Sequence, residues 1–195
     1  TIAYAMEQMP ILGRFVKVVT FRNYEYEDEQ HKAELDIPEI VIDDQLQDER
    51  IRSVLEDTTN EMNSEIQKLS NELLDEFVSY MRDELGYKEL IVKSEVVTTT
   101  QEYFTLKLSC YQSEASGYEW DYFYTIDLTS GKRLQLKDIF AEGVDYITPI
   151  SENIKEQMRS QMEKDENILY WLDDEMEEMN FHAITEETDF YINQN

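Results

Sequence analysis

The sequence predicts an α+β fold in which an antiparallel sheet is packed by one long helix and a second, C-terminal helix. Apolar residues alternate with other residues over 118–128, and this period of two is typical of a β-strand. Apolar residues recur every three or four positions over 44–85 and again over 145–164, which is the period of an amphipathic helix. A chain of 195 residues can hold one sizeable core or two small modules packed together.

The N-terminal part predicts a short helix followed by two extended segments. Residues 1–14 form the helix candidate, because they are rich in helix formers and end at a proline and a glycine. Residues 15–26 alternate as a strand does. Residues 33–42 are also extended but contain Pro38, which cannot donate a ladder hydrogen bond. This second segment is therefore predicted to lie at a sheet edge.

The longest regular element is the predicted helix over 44–85. Asp43 or Asp44 is suited to cap its start, and Gly86 is placed as the glycine that follows its last turn. We expect its apolar stripe to lie across the sheet rather than to form a coiled-coil seam. The stripe comprises Ile51, Leu55, Thr58, Met62, Ile66, Leu69, Leu73, Phe77 and Tyr80.

Three strands are predicted after this helix. They cover 90–99, 102–112 and the aromatic segment, and 113–117 between the last two is predicted to be an exposed tip. Two interpretations of the aromatic row stay open. The row forms a sheet face under a helix, or its part near Tyr118 and Trp120 is an exposed aromatic contact surface. The row comprises Tyr118, Trp120, Tyr122, Tyr124, Ile126 and Leu128.

The segment after the aromatic strand predicts a turn and a short returning run. Residues 129–132 read as a tight turn, because Gly131 takes a positive φ without steric cost. Residues 134–136 form the returning run, and 137–140 resemble one helical turn.

The second helix and a final strand complete the prediction. Pro149 is compatible with a helix over 145–164 because it lies in the first turn. Residues 190–192 are predicted to begin the last strand.

The charge of the chain limits the classes of partner. Forty-four acidic residues against 17 basic ones give a formal net charge of −27. Nucleic acid is excluded as a partner because binding phosphates requires Lys and Arg. The charge favours a cationic partner or serves solubility alone. The sequence has no apolar run long enough to span a membrane.

Residues for catalysis or tight metal binding are scarce, so we predict a non-enzymatic protein without cofactor or metal. The five glycines are scattered and build no phosphate-binding loop. Cys110 is the only cysteine, and it falls on an apolar strand face where a thiolate is disfavoured. His31 and His182 are the only histidines. The acidic run 173–178 matches no EF-hand spacing, and a loose Ca²⁺ site there stays open.

A processing signal lies near the first residue. Ala3 and Ala5 have the spacing of small residues at −3 and −1 of a signal-peptidase site, which places cleavage before Met6. Two alanines in a short helix have this spacing by chance often, so the motif alone is weak.

Several segments together resemble the ectodomains of RsiV-type anti-sigma factors, whose C-terminal module also occurs beside cell-wall polysaccharide deacetylases. The resemblance rests on AYAMEQMPILGRFVKVVTF near the start, on YTIDLTSGKRLQLKDIF, and on the following ISENIKEQM and YWL. These segments come in the family's order and extend over essentially the whole chain. The resemblance implies a juxtamembrane segment at 1–22, an N-terminal α+β module at 23–113 and a C-terminal α+β module at 114–195, packed as one ectodomain.

The resemblance also implies a function. Ectodomains of this family are sensors on the extracellular face of the cell membrane, held by a single transmembrane helix. They bind C-type lysozyme in its active-site cleft, and binding exposes the juxtamembrane site to signal peptidase. An intramembrane protease then releases an extracytoplasmic-function sigma factor. By the family pattern we expect this chain to be an ectodomain fragment without the cytosolic segment, the membrane helix and a closing hairpin.

The lysozyme-contacting loop of the family corresponds to Ala115, Ser116, Gly117 and Tyr118, and Trp120 completes the predicted site. Gly117 stands where the family has a serine. The alternative function is therefore a wall-associated binding module or a sensor for another ligand, such as a peptidoglycan fragment.

Overall fold

A six-stranded sheet and a long helix form the larger part of the computed structural model, which describes residues 15–83, 86–173, 175 and 177–192. Within these residues the strands follow one another across the sheet in chain order. They are β1 Val16–Glu27, β2 His31–Ile42, β3 Lys88–Thr99, β4 Tyr103–Ser113, β5 Gly117–Asp127 and β6 Lys132–Arg133. The predicted α+β class is confirmed, and the sheet is mostly antiparallel.

One pair of neighbouring strands breaks the antiparallel pattern. β2 and β3 run parallel, with His31–Leu35 beside Lys88–Val92, because the long helix α1, Glu49–Arg82, carries the chain back between them. The antiparallel neighbours need only short turns. The helix packs mainly on β2 and β3.

The start of α1 differs from the prediction. Asp48 is the N-cap, and its side chain accepts hydrogen bonds from Arg50 N and Ile51 N. Asp43 instead accepts from Gln45 N at 2.9 Å and shapes a preceding turn. The helix therefore begins five residues after the predicted position.

The predicted end of the helix is also corrected. The C-cap is Asp83, so Gly86 is not the glycine directly after the last turn, although it has a φ of 110°. A positive φ at this position is accessible to glycine at little cost.

The apolar stripe of α1 forms the core together with one face of the sheet, as predicted. On the helix Leu55, Met62, Ile66 and Phe77 are fully buried. The sheet side of this core is Ala33, Leu35, Ile37, Ile40, Leu90, Val92, Phe104, Leu106, Leu108, Cys110, Tyr124, Ile126 and Leu128.

Strand β2 is not an edge segment, and that prediction was wrong. It pairs with β1 along its whole length and with β3 over its first five residues. Pro38 is accommodated because it lies beyond the end of the β3 pairing, opposite Thr20, where the β1–β2 register shifts. Pro38 therefore marks a part of β2 that has no β3 partner, although β2 as a whole is an interior strand.

The turn after β5 is confirmed, but the returning run begins earlier than predicted. Gly131 has a φ of 74°, and a Cβ atom there would lie 3.2 Å from Ile51 O and from Leu55 Cγ. The returning strand is Lys132–Arg133 rather than 134–136.

Residues 135–190 form a second compact unit with a small core of its own. It contains a 3-10 turn at Leu136–Ile139 and helix α2, Ile147–Lys164, which confirms both predicted helical segments. Leu136, Tyr146 and Ile184 are the buried apolar residues of this core. Ser151 connects Ile184 to helix α2, since its Oγ donates to Ile147 O at 2.7 Å and accepts from Ile184 N at 3.0 Å.

The predicted last strand at 190–192 is not formed within the described residues. Instead, the Tyr191 ring stacks on Phe123 of β5 at 5.2 Å between centroids. The Thr98 hydroxyl donates to Ile192 O at 2.6 Å. The predicted N-terminal helix and the processing residues Ala3, Ala5 and Met6 lie outside the described residues. Among the described residues, no helix is long and apolar enough to cross a membrane.

Candidate functional site

The hairpin between β4 and β5 ends in a short exposed tip. Ser113 pairs with Gly117 as the last rung of the ladder, and Glu114 N donates to Ser116 O at 3.3 Å across the turn. Ala115 is exposed together with its neighbours on both sides. The tip predicted at 113–117 is therefore present, and the five residues predicted to bind a ligand lie in it or directly beside it.

Tyr118 is the most exposed large hydrophobic side chain of this hairpin. It is 57% exposed, and its ring stacks on Trp120 at 4.9 Å with 19° between the planes. Trp120 is half-buried and packs against the main core. The stack therefore places an exposed aromatic ring on a half-buried one, and both Tyr and Trp are residue types enriched at binding hot spots.

The aromatic row is partly core and partly exposed to solvent. Tyr124, Ile126 and Leu128 are buried in the core under α1, whereas Tyr118 stands in solvent. Trp120 and Tyr122 are intermediate. The exposed part of the row is thus its beginning, and its last part is core.

A chain of polar contacts lies directly behind Tyr118. Its hydroxyl donates to Gln112 Oε1 at 2.6 Å, and Gln112 Nε2 donates to Glu76 Oε1 at 2.7 Å. Lys88 Nζ donates to the same Glu76 oxygen at 2.8 Å and to Glu114 Oε1 at 2.9 Å. We call Glu76, Lys88, Gln112 and Glu114 the tip relay.

Lys88 is the buried charge of the tip relay. Its side chain is 1% exposed, while Glu76 and Glu114 are 57% and 47% exposed. Burial lowers the pKa of the Lys88 ammonium, but its hydrogen bonds to Glu76 and Glu114 outweigh burial and raise the pKa overall. Hydrogen bonds from Lys88 and Gln112 lower the pKa of Glu76. The ammonium also lies 4.8 Å from the centroid of the Tyr80 ring. Lys88 is therefore a satisfied, charged buried group.

Gly117 allows a close approach of Tyr111 to the backbone of the tip. A Cβ atom at position 117 would lie 2.7 Å from the Tyr111 hydroxyl and 3.1 Å from its ring. A serine at this position requires the Tyr111 side chain to move. Gly117, which differs from the serine of the family pattern, therefore fits the close position of the Tyr111 side chain.

The tip relay was missed by sequence reasoning. Gln112 continues the buried face formed by Phe104, Leu106, Leu108 and Cys110, and it is 3% exposed. A polar residue at a core-face position signals a buried hydrogen-bond partner. That signal was present in the sequence, but its partner Glu76 lies 36 residues away and could not be identified.

Among the described residues, Cys110 and the two histidines each have separate local surroundings. Cys110 is fully buried, and burial raises the pKa of its thiol to about 12. His31 Nδ1 lies 3.1 Å from Asp28 Oδ1 in the β1–β2 turn, while His182 lies on the other unit and contacts Glu177 O at 3.1 Å. Within the described residues, no group of three or more His, Cys, Asp or Glu side chains is arranged to hold a metal ion.

Comparison with known proteins agrees with the resemblance seen in the sequence. The chain is 32% identical over 193 residues to the anti-sigma-V factor RsiV of Bacillus subtilis strain 168, which covers 98% of this chain. The chain is therefore similar to an anti-sigma factor of the RsiV type over nearly its whole length. The chain spans 64% of the length of that relative.

Two further comparisons concern the C-terminal region and the fold of this chain. Residues 137–195 match the family described as "Protein of unknown function (DUF3298)". A crystal structure of a DUF3298 member from Bacteroides fragilis NCTC 9343 has a TM-score of 0.50 at 14% identity, covering 90% of this chain and 79% of that one. This likeness shows a shared fold only. A DUF3298 protein from Pseudomonas aeruginosa PAO1 has a TM-score of 0.39 at 15% identity, with 76% and 64% coverage.

Proposed function

We propose that this chain is the sensor domain of a membrane anti-sigma factor and that it binds C-type lysozyme through the tip of the β4–β5 hairpin. The observation that carries the proposal is the exposed Tyr118 ring stacked on Trp120 beside Ala115, Ser116 and Gly117. Supporting it is the similarity to RsiV, whose name describes an anti-sigma factor. The role is regulatory and non-catalytic.

Electrostatics support a basic partner. The net charge of −27 attracts a cationic protein such as lysozyme, and Glu114 and Glu119 add exposed carboxylates beside Tyr118. Complementary charge raises the association rate more than it raises affinity. The aromatic tip then supplies the contact that enters the lysozyme cleft and blocks it.

The signalling steps follow from this binding. The domain lies on the extracellular face of the membrane, and bound lysozyme exposes residues 1–9 to signal peptidase, which cuts between Ala5 and Met6. An intramembrane protease then frees the extracytoplasmic-function sigma factor. A ligand shifts this equilibrium only by its differential affinity for the cleavable form. The division into 1–22, 23–113 and 114–195 belongs to this proposal.

The test is a titration with lysozyme by isothermal calorimetry at two salt concentrations. Tyr118→Ala should weaken binding at least about thirtyfold, since truncating a hot-spot residue costs about 2 kcal/mol or more. Tyr191→Ala is the matched control, because Tyr191 is a similarly exposed ring stacked on Phe123 of the same strand. Higher salt should weaken the binding of all variants, because it screens the attraction between the acidic chain and a basic protein.

Equal affinities of the two variants would contradict the assignment of the tip. Absence of lysozyme binding by the parent chain would favour the alternative, a sensor or wall-associated module for another ligand such as a peptidoglycan fragment. Gly117 is the observation that favours this alternative, because the family pattern has serine there.

A further inference from the structure

Gln112 connects the exposed tip with the long helix. Its amide oxygen accepts from the Tyr118 hydroxyl at 2.6 Å, and its amide nitrogen donates to Glu76 of α1 at 2.7 Å. The side chain is buried, and both halves of its amide are used. The Tyr118 ring is thus held at its hydroxyl end by Gln112 and along its face by Trp120.

Glu76 is held from a second direction by Lys88. The Lys88 ammonium lies 2.8 Å from Glu76 and 2.9 Å from Glu114, the first residue of the tip. The tip is therefore attached at Glu114 and at Tyr118, and both attachments lead to one carboxylate on α1. Because Lys88 is fully buried, its two ion pairs are less screened than surface pairs.

We propose that Glu76, Gln112 and Lys88 are positioning residues that hold the tip in its binding conformation before the ligand arrives. This inference rests on the proposed function of the tip. A side chain that is ordered in the free protein loses less conformational entropy on binding. The tip relay therefore contributes to affinity without touching the ligand, and α1 sets the conformation of the contact surface.

The first test uses no ligand. In a Trp171→Phe background Trp120 is the only tryptophan, so acrylamide quenching of its fluorescence reports how well the Tyr118 ring covers it. Glu76→Ala and Gln112→Leu should both increase quenching, because Tyr118 is released. Glu76→Gln should restore most of the protection, since its amide oxygen still accepts from Gln112 and Lys88.

Glu61→Ala is the control for helix and charge. Glu61 lies exposed on the same helix, and its removal changes the net charge by the same amount. It should leave quenching at the parent value. Quenching that is unchanged in both Glu76→Ala and Gln112→Leu would overturn the tip relay as a positioning device, whether or not lysozyme is the ligand.

The second test measures lysozyme affinity. Glu76→Ala should weaken binding about threefold to tenfold relative to Glu61→Ala, which is the range expected for freeing one or two side chains. Gln112→Leu should weaken binding less in a Tyr118→Phe background than in the parent, because the hydrogen bond between the Tyr118 hydroxyl and Gln112 is already missing there.

The outcomes separate the two proposals. Increased quenching without lysozyme binding by the parent contradicts the proposed ligand but supports the positioning of the tip. Normal lysozyme binding by Glu76→Ala together with increased quenching contradicts the role of the tip relay in recognition. Fully additive losses for Gln112→Leu and Tyr118→Phe would show that Gln112 does not act through the Tyr118 hydroxyl.

Discussion

The two ends of β5 have the same alternating pattern but different surroundings. At its start Tyr118 is 57% exposed and its nearest polar support is Gln112. Near its end Ile126 is fully buried opposite Phe104. Both residues lie on the same sheet face, because they are separated by an even number of positions.

The difference comes from what lies over each end. Helix α1 packs mainly on β2 and β3, and near the end of β5 it brings Leu55 against the Gly131 turn. Near the start of β5 it presents Glu76 instead of an apolar side chain. A periodic pattern therefore defines a face, while the covering element decides which part of that face is core and which part is available for recognition.

The largest expected effect comes from placing a charge at each end of this row. Ile126→Asp should lower the free energy of unfolding by about 3–5 kcal/mol, because the carboxylate would be buried without a partner. Tyr118→Asp should cost less than about 1 kcal/mol, since the site is exposed. Urea unfolding followed by circular dichroism measures both. Similar losses for the two variants would remove the distinction between the two ends.

A smaller effect is expected from removing the carboxylates that pair with Lys88 near the exposed start of β5. The double variant Glu76→Ala/Glu114→Ala leaves a fully buried ammonium without a carboxylate and should cost about 3 kcal/mol. Each single variant should cost much less, because one carboxylate still neutralises Lys88. Chemical denaturation of all three gives the coupling energy. If the stability losses of the two single variants add up to that of the double variant, stability does not depend on Lys88 keeping one carboxylate partner.

The smallest effect is expected at Gly117. Gly117→Ser should change the free energy of unfolding by less than about 1 kcal/mol, because the atoms nearest to the new Cβ belong to the far end of the half-buried Tyr111 side chain, which can rotate. Thermal unfolding of Gly117→Ser and Gly117→Ala tests this. A loss well above that value in both would show that Tyr111 is fixed and that Gly117 is required by the fold of the tip.

Periodicity in the sequence was sufficient to predict the main helices and strands and the position of the tip. The stripe of α1 and the alternation of β5 are local patterns, and each was found where it was predicted. The helix start was misplaced because Asp43, Asp44 and Asp48 all have side chains that can cap, and only the turn at Asp43 distinguishes them.

Features that depend on distant residues were not predictable. Pro38 suggested an edge strand, but the β2–β3 ladder stops before it and so leaves room for a residue without an N–H. The tip relay joins Glu76 to Gln112 and Lys88 to Glu114, and no sequence spacing encodes these contacts. The last segment was read as a strand from its composition, whereas Tyr191 makes a side-chain stack on Phe123.

The parallel β2–β3 ladder has a consequence for the order of folding. The β1–β2 hairpin and the β3–β4–β5 meander each form from neighbouring segments, so their loop closures cost little entropy. The β2–β3 ladder joins residues that are far apart in the sequence, such as Leu35 and Val92. The chain between them includes the whole of α1. Because such non-local pairing is slow, we expect two early local nuclei and a late joining step. Pulsed hydrogen exchange during refolding should find the amides of this five-residue ladder protected later than those of the hairpin that begins the described chain and of the strands that carry the tip.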